Sequence, residues 1–163
     1  MALETVISEQ DEKAFEELLH IKIKEFNNIH SPHHREARKP GSSIPLHIML
    51  KDDSGQYVGG LTASTYWGWL DIDDFYLPEE FRGQGIGTSL LQTAETIAIS
   101  RECTRCFVST FEFQARRFYE IHGYYVTGRL EDYPPGSTYY WMRKDLLAEQ
   151  GGKGGPSATA CCK

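Results

Sequence analysis

The sequence predicts a mixed α/β chain of the α+β type: about seven strands in one sheet, flanked by helices on both faces. Three observations lead there. Short strand-like runs rich in β-branched and aromatic residues alternate with two longer amphipathic segments, over about residues 11–27 and 88–101. Turn formers punctuate them, most plainly Asp52-Asp53-Ser54-Gly55 and Pro134-Pro135-Gly136. The resulting order, β-α-βββ-α-β-α-ββ, places a three-stranded meander before a helix, so antiparallel and parallel pairing must share one sheet.

In chain order, Leu3 to Ile7 alternates weakly and reads as a first strand. Asp11 is placed to cap a helix reaching about Asn27, with Phe15, Leu18, Leu19, Ile23 and Phe26 on one face. Asn28 to Ser43 carries Pro32, Pro40 and Gly41 and reads as a loop. Ile44–Lys51 and Tyr57–Tyr66 form a hairpin, and Gly68–Leu77 adds a third antiparallel strand. A glycine turn leads into the helix that starts near Thr88, followed by a strand at Arg105–Thr110. A helix from Gln114 to His122 stops at Gly123, a residue suited to a helix end. Tyr124–Leu130 and Ser137–Lys144 complete the sheet. These elements make residues 1–147 one domain, and the Gly-rich residues 148–163 a flexible tail.

Bulk properties exclude several classes. With 17 basic and 23 acidic residues the net charge is −6, which argues against nucleic-acid binding. It suits a cationic partner or simply a solvated acidic surface. No apolar run is long enough for a membrane span, and the beginning of the chain lacks a signal-peptide pattern, so a cytoplasmic, reducing setting is expected. Cys103 and Cys106 have C-x-x-C spacing, but Cys106 opens an apolar strand, while Cys161 and Cys162 fall in the tail. Reduced thiols are expected, with no metal. In the basic segment around His30, His33 and His34 the adjacent His33 and His34 point differently and no firm carboxylate or cysteine set completes a metal site, so it is read as a lid or acceptor-binding loop.

The most informative stretch is Phe81-Arg82-Gly83-Gln84-Gly85-Ile86-Gly87. A strand, a turn with three glycines and a helix start form an anion site. Glycines allow a sharp turn and close approach, and the first helical N–H groups lack internal partners at the positive end of the helix dipole. No lysine follows the glycines as a nucleotide-hydrolase loop requires, and the spacing is not that of a dinucleotide loop after a parallel strand.

Leu77 to Glu95, with Arg82-x-x-Gly85-x-Gly87, resembles the acetyl-CoA signature of the GNAT superfamily of N-acetyltransferases. Ala115-Arg116-Arg117-Phe118-Tyr119-Glu120-Ile121-His122-Gly123-Tyr124 is similar to that family's second hallmark, a helix bearing Tyr followed by Gly-aromatic. The resemblance covers about residues 2–146. It implies a sheet splayed at an acetyl-CoA cleft, with the pyrophosphate on the N–H groups of Arg82, Gly83, Gln84, Gly85, Ile86, Gly87 and Thr88. Arg82 would add a cation, Thr88 a hydroxyl or only a helix cap, and the backbone near Leu77 would bind the pantetheine arm and polarise the thioester. Tyr119 matches the family's general acid.

Asp71 and Asp73 stand where the family carries a base acting directly or through water. Strand alternation puts both on one face, with Asp74 opposite. A carboxylate of ordinary pKa is a weak base for an ammonium, so these aspartates are expected to hold the cation or to be raised by burial and by each other. The sequence departs from the family at Glu112, where many members have an Asn contacting the arm. Thr110 or Gln114 could take that role. The resemblance implies direct transfer in a ternary complex to a primary amine. A small cationic amine (polyamine, amino-sugar antibiotic or amino-acid derivative) is the expected acceptor. A protein lysine or N-terminus remains open, as does a catalytically silent acetyl-CoA sensor. A homodimer is a further expectation, with Trp67 and Trp69 as interface candidates.

Overall fold

The computed structural model describes residues 3–146. They fall into two compact units, with the division after Ser43. In the first unit Leu3 to Ile7 forms no strand. Its weak alternation offers too few β-formers to hold a ladder. Helix α1 spans Lys13–His30 and starts one residue beyond the expected cap, with Glu12 rather than Asp11 at the boundary and no side-chain cap bond. The segment read as a loop contains a second helix, α2, Pro32–Glu36. Ser31 accepts from the His34 N–H and Pro32 occupies the first turn, a start signal that the adjacent prolines and histidines obscured.

The second unit holds one six-stranded sheet, rather than about seven strands, in the order β1-β2-β3-β4-β6-β5. The strands are β1 Ile44–Lys51, β2 Tyr57–Tyr66, β3 Trp69–Tyr76, β4 Arg105–Phe111, β5 Tyr125–Glu131 and β6 Thr138–Asp145. Helix α3, Ile86–Ser100, joins β3 to β4, and α4, Arg116–Ile121, joins β4 to β5. Every neighbouring pair is antiparallel except β3 with β4. That parallel ladder runs only from Trp69↔Arg105 to Ile72↔Val108. Beyond it β3 stays paired with β2 as far as Tyr76, and β4 with β6 as far as Phe111. The two strands thus lose each other in mid-sheet.

The core follows the period-two pattern. Leu46, Leu61, Ala63, Leu70, Ile72, Val108 and Met142 face one side of the sheet and pack against Leu91, Ala94 and Ala98 of α3. One polar cluster is threaded through this core. Glu95 of α3 accepts from Lys144 of β6 at 2.6 Å and from the Tyr124 hydroxyl at 2.9 Å, and that hydroxyl lies 3.0 Å from Cys106 Sγ. A buried carboxylate is tolerated because both its oxygens are matched. Burial pushes the Cys106 thiol up to about 12, so it stays protonated and unreactive.

Gly60 is the position where the strands leave no room. It sits in β2 at φ 141°, and a Cβ there would lie 2.1 Å from the Ile48 carbonyl oxygen of β1. Gly60→Ala should therefore cost at least about 3 kcal/mol, because neither the backbone conformation nor the neighbouring strand can yield cheaply. Gly55→Ala, also at positive φ but facing open space, should cost only about 1 kcal/mol. Urea midpoints of the two variants check this; equal midpoints would refute the assigned β1–β2 contact.

Candidate functional site

Three elements meet around Phe118 of α4. Its ring edge lies 3.5 Å from where a Cβ on Gly87 would sit, at the start of α3. Its centroid is 5.7 Å from Phe75 of β3 and 5.4 Å from Tyr119. The glycine turn, the end of β3 and the tyrosine helix are therefore neighbours.

The turn leaves β3 through Leu77 and a short 3-10 turn, Glu79–Phe81. Gly83 and Gly85 lie at φ 72° and 82°, in the left-handed region that a Cβ would disfavour. Gly85 caps α3 with no side-chain bond, and the first helical hydrogen bond of α3 is Ser89 N–H to the Gly85 carbonyl. Among the described residues, none accepts from the backbone N–H groups of residues 83–88. Open space surrounds Gly83 and Gly85. This is the donor set that a diphosphate would require. Arg82 Nε donates to the Leu77 carbonyl at 2.9 Å, and Gln84 Nε2 to the Glu80 carbonyl at 2.7 Å, so both side chains brace the turn from within. Ile86 and Gly87 open α3.

Thr88 points across to α4, where its hydroxyl lies 3.0 Å from His122 Nε2. Thr110 is buried, and its hydroxyl accepts from the Ala115 N–H at 3.3 Å. Gln114 Oε1 accepts from the Phe111 N–H at 2.9 Å. Both of these side chains are engaged in the turn from β4 into α4.

Tyr119 is buried on the core side, 5.4 Å in ring centroids from Tyr124. Burial, with the Cys106 thiol nearby, holds its phenol well above the ordinary range, so it is protonated at neutral pH. Asp71 lies on the opposite face, beyond the core residues Leu70 and Ile72. Tyr119 belongs to the buried core cluster, whereas Asp73 and Asp74 are exposed.

A bulge changes the acidic row. Ala63 pairs with Ile72 and Thr62 with Asp74, so Asp73 is an extra residue in β3. The inserted residue returns Phe75 to the core side and turns Asp74 outward with Asp73, both exposed. The expectation that Asp74 projects opposite to its neighbours is therefore corrected. Thr62 accepts from the Asp74 N–H at 3.2 Å. Asp71 accepts from the Tyr66 hydroxyl at 2.8 Å, and burial, then this bond, push the Tyr66 phenol up to about 12. Asp73 is the carboxyl raised above the usual range. Desolvation contributes most, then repulsion from Asp71 and Asp74, partly offset by His47. The adjacent Asp73 and Asp74 were the available signal, since without such a bulge alternation would turn one of them toward the apolar core.

Among the described residues no three His, Cys, Asp or Glu side chains converge to hold a metal. No helix among them is long and apolar enough to cross a membrane. Cys161, Cys162 and the Gly-rich tail lie outside the described residues.

Residues 9–124 match the family described as acetyltransferase (GNAT). The chain is 32% identical over 133 residues to a blasticidin-S acetyltransferase of Streptomyces morookaense, covering 77% of this chain and 96% of that protein. It is 35% identical over 99 residues to an acetyltransferase of Agrobacterium fabrum, covering 61% and 72%. A crystal structure of an acetyltransferase from Bacillus cereus superposes with a TM-score of 0.73 at 29% identity, over 86% of this chain and 97% of that one.

The raised Asp73 carboxyl carries a linkage prediction. Its folded pKa exceeds the unfolded one, so ionisation destabilises the fold above the carboxylate range and has no effect below both values. Asp73→Asn should raise the melting temperature near neutral pH, and the gain should vanish on acidification below about pH 4. A pH series of thermal melts checks this; an equal or lower melting temperature at neutral pH would contradict it.

Proposed function

The chain belongs to the acetyltransferase (GNAT) family and is an N-acetyltransferase; from that premise we propose that it transfers the acetyl group of acetyl-CoA directly to the primary amine of a small organic cation. The observation that carries this reading is the acidic row Asp71, Asp73 and Asp74, turned to one side of β3 by the bulge where β3 and β4 part. Three carboxylates so close favour a bound cation, and Asp73 already holds its proton more tightly than an ordinary aspartate. The similarity to a blasticidin-S acetyltransferase supports a small-molecule acceptor over a protein lysine or N-terminus.

Acetyl-CoA, when bound, supplies the acetyl thioester. The N–H groups of residues 83–88 hold its diphosphate, and Gly83 and Gly85 keep the turn open for it. Main-chain groups of β3 released from the parallel ladder are available to the pantetheine arm and the thioester oxygen. Asp73, with Asp71 and Asp74, holds the acceptor's ammonium and takes or relays the proton it must lose before attack. The amine nitrogen then forms the new carbon–nitrogen bond as the carbon–sulfur bond breaks, and it loses its second proton to solvent to leave the neutral amide. Tyr119, kept protonated by burial, gives its proton to the departing sulfur and regains one from solvent. Cys106 has no part in this, because a thiol with a pKa of about 12 is not a nucleophile at neutral pH.

A screen of small cationic amines and peptides, read by mass spectrometry of the acetylated product, tests the acceptor. Acetylation confined to peptides would overturn the small-molecule reading, and coenzyme A binding with no acetylated amine would favour a silent sensor. In the same assay Tyr119→Phe should lower kcat by about 100-fold while leaving the Kd of acetyl-CoA nearly unchanged. An undiminished kcat would remove Tyr119 as the acid.

A further inference from the structure

His122 closes α4 at a point where the described mechanism gives it no task. Its Nδ1 lies 2.7 Å from the Phe118 carbonyl oxygen, and its Nε2 lies 3.0 Å from the Thr88 hydroxyl on the first turn of α3. The ring also packs on Phe118, centroids 4.4 Å apart. These two bonds fix the chemistry of the ring. A carbonyl oxygen only accepts, so Nδ1 must carry a proton. In the neutral imidazole Nε2 then has none, and the Thr88 hydroxyl must donate to it. Thr88 in that state offers only lone pairs to anything else. When His122 is protonated, Nε2–H donates to Thr88, and the hydroxyl proton is free to be donated to another acceptor.

We propose that His122 is a positioning residue for the coenzyme: through Thr88 it converts the first turn of α3 from an acceptor into a donor for a diphosphate oxygen. This rests on the reading that acetyl-CoA lies on residues 83–88. A phosphate oxygen needs donors, and a lone pair aimed at it repels. Coenzyme binding is therefore coupled to uptake of one proton at His122, which also brings a positive charge to the same turn.

The charges on neighbouring elements are matched elsewhere. Glu95 of α3 is paired with Lys144 of β6, whose side chain lies against Gly123. Glu120 of α4 is paired with Arg116. Arg117 on α4 and Arg82 in the turn are exposed cations. They favour the anion at every pH in this range and so add no proton dependence of their own.

Calorimetric titration of the full chain with 3′-dephospho-coenzyme A tests this without turnover and without the titrating 3′-phosphate. Between about pH 8 and about pH 6 the wild type should tighten by about three- to tenfold more than His122→Gln. Titrations in buffers of different ionisation enthalpy should show proton uptake in the wild type and its loss in His122→Gln. Should His122→Gln fail to fold, Thr88→Val keeps the ring and should lose most of the extra tightening, while Thr88→Ser should retain it. Identical pH dependence and proton uptake in wild type and variants would overturn the role of His122 and leave the acetyl-CoA reading standing. Failure of the folded wild type to bind the probe at either pH would overturn both.

Discussion

The short parallel ladder between β3 and β4 is the constraint on which the rest of the site depends. Four residues on each strand pair, and then each strand follows its antiparallel partner instead. Central strands of a mixed sheet normally keep all their main-chain groups paired, since a buried unpaired amide is costly. Here the bulge at Asp73 follows directly on Ile72, the last residue of β3 in the parallel ladder, and a bulge of this kind bends a strand and increases its twist. A gap with released backbone groups in mid-sheet suits an extended ligand better than a side chain. The proposed mechanism uses it in that way.

A gap of this kind would weaken the unit if nothing tied its two halves together. The tie is the core side, where α3 carries apolar residues onto strands on both sides of the parting. The Glu95, Lys144 and Tyr124 cluster adds directional bonds from α3 to β6 and to the chain entering β5. At the other end of α3, Arg101 Nη1 lies 3.3 Å from the Thr65 hydroxyl and from the Ile44 carbonyl. Helix α3 thus ties the two halves together, and its first turn is joined to α4 through the Thr88–His122 bond. A donor cradle that needs no reordering on binding loses less entropy to its ligand.

Much of this was legible in the residues. The glycine turn, the boundaries of β1 and β2 and the sequence of helices and strands after Ile44 follow from local chemistry, because turn formers and periodicity there agree with the packing. The bulge was not read, since alternation assumes an uninterrupted ladder and one inserted residue reverses every side chain beyond it. Alternation therefore puts Asp74 on the wrong side but not Asp71. Leu3 to Ile7 shows the opposite failure: alternation without strong β-formers or a partner strand is not enough to make a strand. The engagement of Thr110 and Gln114 with the turn into α4 was also invisible, because it depends on a loop closing back upon its own strand.

The arrangement also explains why two kinds of titrating group are kept apart. In the proposed reaction one group must take a proton from a cation and another must give one to a sulfur. If they touched, the phenol would donate to the carboxylate, which would hold the phenolic proton more tightly and lose part of its own proton affinity. Asp73 lies outside the core, where desolvation and then the charges of Asp71 and Asp74 raise it. Tyr119 lies inside, where burial makes the phenolate too costly to persist. Both shifts run upward, yet they serve opposite ends of the proton path. The more basic carboxylate is a better acceptor, and the phenol stays loaded until a developing thiolate supplies the charge that draws its proton off. Asp73 is exposed and Tyr119 is buried in the core, so in the proposed reaction the reactants themselves bridge base and acid. Proton transfer through the site would then wait on the presence of both substrates, which is what direct transfer in a ternary complex requires.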